Sequence, residues 1–173
     1  MMKEFIVRDA TLNDFDQIKH LNDDFVDFTS PMDLAKIEQL HNQSGYHKVI
    51  QSCSNENAHD AKISGFLLAF APSADYQSEN YVWFDRRYRN FMYVDRIVVE
   101  RTKQGAGLGK RLYDDLFNFA RERKIAHICC EYNLIPANPI SAAFHSTYGF
   151  QQVGQLSNEA QTKIVSMQIA NAM

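Results

Sequence analysis

The segment Phe91–Arg121 places a short apolar strand, a glycine-bordered turn and an amphipathic helix in immediate succession. The turn contains Gly105, Gly107 and Gly109. The first N–H groups of a helix lack intrahelical acceptors and lie at the positive end of the helix dipole, and glycines let an anion approach them without a Cβ in the way. The turn is therefore predicted to bind a pyrophosphate.

The spacing of these glycines separates phosphate motifs that otherwise look alike. A dinucleotide fingerprint needs a glycine where Lys110 stands, and a Walker loop needs four residues between its glycines and a Ser or Thr after the lysine. Three residues separate Gly105 from Gly109, and Arg111 follows the lysine. Neither motif fits, although Glu131 stands at the end of the next strand, where a ribose-binding acid of a nucleotide-binding oxidoreductase would lie.

The length of 173 residues favours one domain, residues 1–173, with a substantial buried core. A net charge of −3 argues against a nucleic-acid partner, because such proteins need strongly basic surfaces. A local basic patch of Lys103, Lys110 and Arg111 would still suit a phosphate, or these side chains could be the solvated start of a helix. The longest apolar run, Gly65–Pro72, is too short to span a bilayer, so no membrane insertion is expected.

The three cysteines are too few for a disulfide framework, which makes a reducing cytoplasm the expected location. Cys129 and Cys130 are adjacent in an apolar run, and we expect two small buried hydrophobic side chains rather than a catalytic thiol. The six histidines include no pair at four-residue spacing, and the chain has no Cys-x-x-Cys motif. No metal site is therefore predicted.

Hydrophobic periodicity predicts strands and helices that alternate in the middle of the chain, with hairpin-like pairs at the ends. This order indicates an α/β fold built on an α+β mixed sheet. The polar and aromatic stretch from Pro72 to Asn90 fits no single period. The predicted strands are residues 4–8, 46–53, 63–71, 91–99, 125–132, 151–155 and 163–169, and the predicted helices follow Thr11 and span residues 31–45, 107–123 and 141–147.

Three segments together resemble the GNAT N-acetyltransferase superfamily in order and spacing. Gln104–Gly109 matches the acyl-CoA loop pattern Gln/Arg-x-x-Gly-x-Gly/Ala, and Asn138–Phe150 is similar to Asn-x-x-Ala-x-x-Phe-Tyr-x-x-x-Gly-Phe. The opening residues Phe5–Thr11, with Asp14, are similar to the family's first strand and helix. The segment after Asn138 further resembles the ribosomal-protein alanine acetyltransferase subset. The resemblance implies an enzyme that transfers acetyl from acetyl-CoA directly to a primary amine of a small molecule, peptide or protein.

The resemblance also implies the architecture and the mode of cofactor binding. We expect a GNAT-like splayed central sheet of about seven strands flanked by helices on both faces, open between the strands that end at Val99 and Tyr132. The pyrophosphate would rest on the loop amides, and the pantetheine would follow the first of these strands, whose N–H groups polarise the thioester carbonyl. The cofactor-binding residues that this implies are Ile97, Val98, Val99, Gln104, Gly105, Ala106, Gly107, Leu108, Gly109, Lys110, Asn138 and Ser141.

Catalysis needs a base, because a lysine-type amine with a pKa of about 10 is protonated at neutral pH. Asp95, Glu100 and Glu131 are the candidates. Glu131 and Asp95 rank equally, and each could instead be an ion-pair partner, Asp95 of Arg96 for example. The departing thiolate needs a proton, and His145 stands where the family pattern commonly has a tyrosine. His145 or Tyr148 is the predicted donor, with packing as the alternative role of each.

Two segments are predicted to line the acceptor site, because acidic residues beside aromatic rings can hold a cationic amine. They are Asp23–Phe28 and Tyr76–Tyr88, and their predicted contacts are Asp24, Phe28, Tyr81 and Trp83. The aromatic loop could instead pack onto the domain or form a homodimer contact, and the aspartates could simply face solvent.

Two other classes of protein stay open on sequence alone. One is a non-catalytic acyl-CoA-binding sensor or partner subunit, supported mainly by His145 in place of a tyrosine. The other is a nucleotide-binding oxidoreductase, which NAD rather than CoA would stabilise.

Overall fold

The computed structural model describes residues 5–27, 29–52 and 62–173. Within these residues, seven strands form one mixed sheet flanked by five α-helices, which confirms the predicted fold class. The strands are β1 (Phe5–Asp9), β2 (Tyr46–Ser52), β3 (Ile63–Phe70), β4 (Phe91–Val99), β5 (His127–Ile135), β6 (Gln151–Ser157) and β7 (Ile164–Asn171), and the helices are α1 (Phe15–Asp23), α2 (Leu34–Gln43), α3 (Glu79–Asp85), α4 (Leu108–Glu122) and α5 (Pro139–Ser146). The strand order is β1-β2-β3-β4-β5-β7-β6.

Capping residues set where the first helices begin. Thr11 precedes a short 3-10 helix, and its N–H donates to Asp14 Oδ2 at 2.8 Å, so the predicted helix start at Thr11 is confirmed. α2 begins later than the sequence predicts because Asp33 caps it, accepting the Lys36 N–H at 2.7 Å. A side-chain acceptor at this position satisfies one of the N–H groups that a helix start leaves unpaired.

Helix α3 is the element that hydrophobic periodicity does not predict. It lies in the polar and aromatic stretch between Pro72 and Asn90, and Tyr81 and Phe84 are buried along it. These two residues are three apart, so a signal of helical spacing is present in the sequence. It is obscured because α3 has only seven residues and aromatic side chains continue on both sides of it.

The first of two compact units consists of the described residues up to Ala69 together with Asp95–Leu116. Its strands β1, β2 and β3 pair antiparallel. Every residue of β3 is buried, as expected for a strand with a continuous apolar run. The largest fully buried aliphatic side chains of this unit are Ile18, Ile37, Leu40, Ile50 and Ile63.

The second unit consists of Phe70–Val94 and Phe117–Met173. Parallel pairing of β4 with β5 covers their first three residues, Phe91–Tyr93 opposite His127–Cys129, whereas β5 pairs antiparallel with β7 from His127 to Ile135. This early end of the β4 and β5 pairing is what the predicted splayed sheet requires. The prediction of a single domain over residues 1–173 stays a prediction.

Cys129 and Cys130 are free thiols and both are buried, which confirms their interpretation as small core residues. Burial raises the pKa of both thiols, so neither is an activated nucleophile. Among the described helices, none is long and apolar enough to cross a membrane.

Candidate active site

The turn between β4 and α4 has the backbone shape that the sequence predicts. Gly105 and Gly107 have φ of +79° and +78°, a region that side chains with a Cβ rarely adopt. No atom lies within 4 Å of a Cβ built at either position, so the space above both glycines is open. Gln104 and the residues through Gly107 are exposed. An anion can therefore approach the backbone of this turn from solvent.

Helix α4 presents its first N–H groups at this turn. The N–H of Arg111 donates to Gly107 O at 3.0 Å, which is the start of the regular helical pattern. The N–H groups of Leu108 and Gly109 precede that bond and have no acceptor within the helix. They lie at the positive end of the α4 dipole, which favours a bound phosphate.

The three cations predicted to form a basic patch all contact groups of their own chain. Lys103 Nζ donates to Ser64 Oγ at 2.8 Å and forms an ion pair with Glu100, and an Arg111 guanidinium nitrogen donates to Phe5 O at 2.9 Å. These two side chains therefore tie the turn and α4 to neighbouring strands. Lys110 pairs with Asp114 at 2.7 Å, four residues along α4. A pair this exposed contributes less than about 1 kcal/mol, so a phosphate can compete for Lys110.

Glu100 anchors the start of the turn. Its N–H donates to Ser64 O at 2.9 Å. Its carboxylate accepts hydrogen bonds from Lys62 Nζ and Thr102 Oγ1, both at 3.1 Å, and forms an ion pair with Lys103 Nζ at 3.2 Å. Burial acts to raise the pKa of this carboxyl, but these hydrogen bonds lower it below its ordinary value. A carboxylate held by so many donors is suited to fixing the loop rather than to taking a proton.

Strand β4 leads into the turn, and its last residues alternate. Val98 is buried, whereas Ile97 and Val99 are half-buried. β3 approaches the Val98 side so closely that a Cβ built on Gly65 would lie 2.5 Å from Val98 O. Because Val98 is buried and its two neighbours are only half-buried, a ligand along β4 would meet the side chains of Ile97 and Val99 first.

Asp95 forms an ion pair with Arg96 Nε at 2.6 Å, and both side chains are about 95% buried. The same guanidinium donates to Asn22 Oδ1 at 2.9 Å and to Ser30 O at 3.1 Å. This is the ion-pair alternative that the sequence left open for Asp95. The carboxylate neutralises a buried arginine, and freeing it for catalysis would leave that charge uncompensated.

The predicted acceptor segment 23–28 is partly described. Asp24 is exposed, and its backbone carbonyl oxygen accepts a hydrogen bond from Arg101 Nη2 at 2.5 Å. The Arg101 guanidinium lies 4.4 Å from the centre of the Phe25 ring, so this arginine clamps the segment to the turn. Phe28 lies outside the described residues.

The second unit carries the other candidate base. Asn80, on α3, donates its side-chain amide to Glu131 Oε1 at 2.8 Å, and both residues are half-buried. This partner is a neutral amide rather than a guanidinium. Asn80 therefore contacts a candidate base without adding a charge, and it is a residue that the sequence analysis did not identify.

His145 is buried, and its tautomer follows from its hydrogen bond. Nδ1 lies 2.7 Å from the carbonyl oxygen of Ser141, which can only accept, so the ring proton is on Nδ1. Burial lowers the pKa of this imidazole, although the bond to Ser141 acts in the opposite direction. The ring is therefore neutral near pH 7 and carries no proton on Nε2. Tyr132 stacks on it at 5.8 Å, and Phe150 meets its edge at 5.2 Å.

Other predicted residues of this unit lie around α5. Asn138 Oδ1 accepts the Ser141 N–H at 3.0 Å, which makes Asn138 the N-cap of the helix. Tyr148 is half-buried, with its ring stacked on Phe117 at 5.2 Å and tilted against Phe144 at 5.7 Å. These contacts fix the ring and are compatible with either of its predicted roles.

The two acceptor contacts predicted on α3 differ in accessibility. Tyr81 is 1% exposed, and its hydroxyl donates to Ala71 O and accepts from the Ala74 N–H, both at 2.8 Å. It is a core residue and cannot line an acceptor site, so this prediction is corrected. Trp83 is half-buried. Arg87 donates a hydrogen bond to its backbone carbonyl oxygen, and the Arg87 guanidinium lies 4.0 Å from the centre of its ring.

Among the described residues, no three His, Cys, Asp or Glu side chains form a group that could hold a metal ion. The first unit offers an open glycine turn at a helix start and a strand with partly accessible side chains, and the second unit offers a half-buried carboxylate. The turn and the mixed sheet are features expected of an acyl-CoA-dependent transferase.

Comparisons with known proteins agree with that class. Ard1 from Thermoplasma volcanium has the same fold, with a TM-score of 0.74 and 16% identity over 98% of each chain. The ribosomal-protein-alanine N-acetyltransferase from Brucella melitensis has a TM-score of 0.69 and 20% identity over 96% of this chain and 99% of that one. The NatC complex bound to Gag peptide and CoA gives a TM-score of 0.74 and 16% identity over 97% and 98%. At these identities, the likeness establishes the fold.

The family follows from sequence. A family model described as the acetyltransferase (GNAT) domain matches residues 76–171, which is more than half of the chain. The protein therefore belongs to the GNAT acetyltransferase family, and acetyl-CoA is its acyl donor. A search of curated protein sequences finds no match.

Proposed function

We propose that the protein acetylates a primary amine of a peptide or protein. The observation that carries the proposal is the open, left-handed glycine turn at the start of α4, where Gly105 and Gly107 leave the backbone accessible to a pyrophosphate. The acceptor class is supported by relatives of the same fold, which include a ribosomal-protein-alanine N-acetyltransferase and a complex with a bound peptide.

The reaction joins the amine nitrogen to the acetyl carbonyl carbon and breaks the carbon–sulfur bond of the thioester. The ammonium form of the acceptor first loses a proton to a base, and the nitrogen lone pair then attacks. The nitrogen loses a second proton as the amide forms, which balances the proton that the sulfur takes up. Negative charge develops on the carbonyl oxygen and then on the departing sulfur, which takes a proton. The products are an amide and the free thiol of CoA.

Backbone groups of the first unit serve the donor substrate in this proposal. The amides of Gly107, Leu108 and Gly109 hold the pyrophosphate, with Gln104, Gly105, Ala106 and Lys110 beside them. Ile97 and Val99 guide the pantetheine, and the strand N–H groups near Val98 polarise the carbonyl. One preorganised donor of this kind contributes about 3 kcal/mol to lowering the barrier.

Side chains of the second unit serve proton transfer. Glu131 is the proposed base, because its described partner is a neutral amide, whereas Asp95 is bound to a buried guanidinium. Tyr148 is the proposed thiolate donor, because a phenol carries its proton at neutral pH. His145 packs α5 in place, and Asn138 and Ser141 keep their proposed cofactor contacts at its start.

The setting of the reaction is also a proposal. The free thiols of Cys129 and Cys130 suit a reducing cytoplasm, and an acceptor site that includes Asp24 and Trp83 suits a cationic amine. A homodimer contact through the exposed part of the aromatic stretch 76–88 is part of the proposal, and the oligomeric state in solution tests it.

The test combines binding with turnover. Purified protein is incubated with acetyl-CoA and a panel of peptides with different N-termini, peptides with an internal lysine, and small amines, while release of free thiol is followed. We expect thiol release with peptides that exceeds both hydrolysis and the rate with small amines. Faster turnover of small amines than of any peptide would reject the acceptor class.

The same experiment separates the alternative classes. Calorimetric binding of CoA without thiol release on any acceptor would identify a non-catalytic sensor. A thermal-shift comparison of CoA, acetyl-CoA and NAD adds a second check, because a ligand at 100 times its dissociation constant adds about 2.7 kcal/mol of stability. Stabilisation by NAD alone would reject the acetyltransferase proposal.

A further inference from the structure

We infer that Asn80 is a positioning residue for the reaction: its side-chain amide orients the Glu131 carboxylate that takes the proton from the acceptor amine. The inference rests on the proposed function and assigns a role to helix α3. It follows from a hydrogen bond between residues 51 positions apart in the sequence.

The bond has a defined polarity. Asn80 Nδ2 donates to Glu131 Oε1 at 2.8 Å, and both side chains are half-buried. An amide N–H donates, and an ionised carboxylate accepts. The contact therefore favours the anionic form of Glu131, which is the form that can act as a base.

The donor end of this bond is held by a rigid helix. The buried Tyr81 hydroxyl bonds both Ala71 O and the Ala74 N–H at 2.8 Å. Asp85 accepts the Ser73 N–H at 2.8 Å, and the Phe84 ring is fully buried. These contacts fix α3 at both ends, so Asn80 has little freedom to follow a moving partner.

The acceptor end is held by a central strand. Glu131 lies opposite Met167 in the antiparallel pair of β5 and β7, next to the buried Cys130. The Tyr132 hydroxyl accepts Gln168 Nε2 at 3.2 Å on the same pair of strands. The backbone of Glu131 is thus fixed, and its long side chain is the remaining freedom.

That freedom is what the amide removes. A glutamate side chain has three torsions, and the last one is broad, so an untethered carboxylate samples many orientations. A base must lie within hydrogen-bond reach of the proton it takes, and misplacement by about 1 Å can reduce the rate about 100-fold. The amide from α3 favours one orientation and, unlike an arginine, brings no charge that would neutralise the carboxylate.

The test uses two replacements of nearly equal size. Asn80→Leu removes the donor, and Asn80→Asp replaces it with a like charge that disfavours the anionic form of Glu131. We expect kcat to fall about tenfold in Asn80→Leu with the KM for acetyl-CoA unchanged. In Asn80→Asp, we expect the acid limb of the pH–rate profile to move up by about one unit. Glu131→Gln should reduce kcat by about 100-fold or more.

The control is Glu122→Gln, an exposed glutamate at the end of α4 in the same unit. It removes one negative charge outside the proposed site, and it should leave kcat and the pH profile unaltered. Melting curves of all four variants report folding separately. A merely structural Asn80 would change melting, but folded Asn80→Leu would then keep the kcat of the wild type.

Each failure has its own signature. Wild-type protein that binds CoA and releases no thiol would refute the proposed function itself. Full turnover in Glu131→Gln would refute the base, and with it the role of Asn80. Loss of turnover in Glu131→Gln, together with the kcat of the wild type in folded Asn80→Leu or an unmoved pH profile in folded Asn80→Asp, would overturn the positioning role alone.

Discussion

Gly107 carries the residue-level argument for cofactor binding. Gly107 has a φ of +78° and open space above it. A side chain at this position would have two effects, one on the backbone conformation and one on the space for a ligand. A left-handed conformation costs a β-branched residue at least about 1–2 kcal/mol, and its bulk would occupy the space of the bound phosphate. We predict that Gly107→Val lowers the affinity for CoA at least about tenfold, measured by calorimetry.

The matched control is Gly149, which also has a positive φ, +73°, and no atom within 4 Å of a built Cβ. Gly149→Val should lose a similar amount of stability on urea unfolding and keep its affinity for CoA. Equal affinities of the two variants would contradict a pyrophosphate site at the turn.

His145 tests how the thiolate receives its proton. Because Nδ1–H is bound to Ser141 O and burial lowers the pKa of the ring, the neutral imidazole has no proton on Nε2 to give. We predict that His145→Phe keeps the shape of the pH–rate profile, whereas Tyr148→Phe reduces kcat by about 100-fold. A lost basic limb in His145→Phe would restore histidine as the donor.

At the scale of elements, the close approach of β3 to β4 positions the proposed pantetheine strand. A Cβ on Gly65 would lie 2.5 Å from Val98 O and 3.3 Å from Val99 Cα, and backbone atoms cannot move aside as a flexible side chain can. We predict that Gly65→Ala costs about 1–3 kcal/mol of unfolding free energy and weakens acetyl-CoA binding, because β4 must shift. Urea unfolding and calorimetry measure the two effects.

Gly154→Ala is the companion variant in the second unit. Its Cβ would lie 2.6 Å from the Trp83 ring, so it also overpacks, but against a side chain rather than against the backbone of β4. It should lose stability and keep its affinity for acetyl-CoA. If Gly65→Ala also keeps full affinity, β4 is not the strand that guides the pantetheine.

Elements differ in how far local sequence predicts them. The strand Phe91–Val99 is found with the bounds that its apolar run predicts, and α4 begins at Leu108, one residue from the prediction. Both have long, regular patterns. Helix α3 is not predicted because its few residues cannot establish a period. Its position depends on tertiary contacts such as the hydrogen bond from the Tyr81 hydroxyl to Ala71 O.

For the whole molecule, His47 links stability to pH. Its buried ring lies 2.9 Å from the His41 ring, Nδ1 to Nδ1, and contacts Phe66. Burial first, and then His41, lowers the pKa of His47 to about 3, against a smaller opposite effect of Asp14. In the unfolded chain the pKa of this histidine is about 6.5. Between pH 6.5 and pH 3, the unfolded state therefore binds a proton on His47 and the folded state does not.

Stability is therefore predicted to fall as the pH drops below about 6.5, by up to about 1.4 kcal/mol per unit for this group. His47→Phe should flatten the slope of unfolding free energy between pH 6.5 and 4. His20→Gln, at a histidine exposed in the folded protein, is the control and should leave the slope as in wild type. An unchanged slope in His47→Phe would show that other groups govern acid unfolding.

Local sequence patterns predict most strands and helices and the glycine turn of residues 104–109, because these features depend on neighbours along the chain. They cannot choose between Asp95 and Glu131, because the two carboxylates look alike in sequence. Arg96 is adjacent to Asp95 in the sequence, but the tertiary fold buries this pair, brings the distant Asn22 to the guanidinium and brings Asn80 to Glu131. A carboxylate acts as a base or an ion-pair partner according to the groups around it, and folding alone assembles those groups.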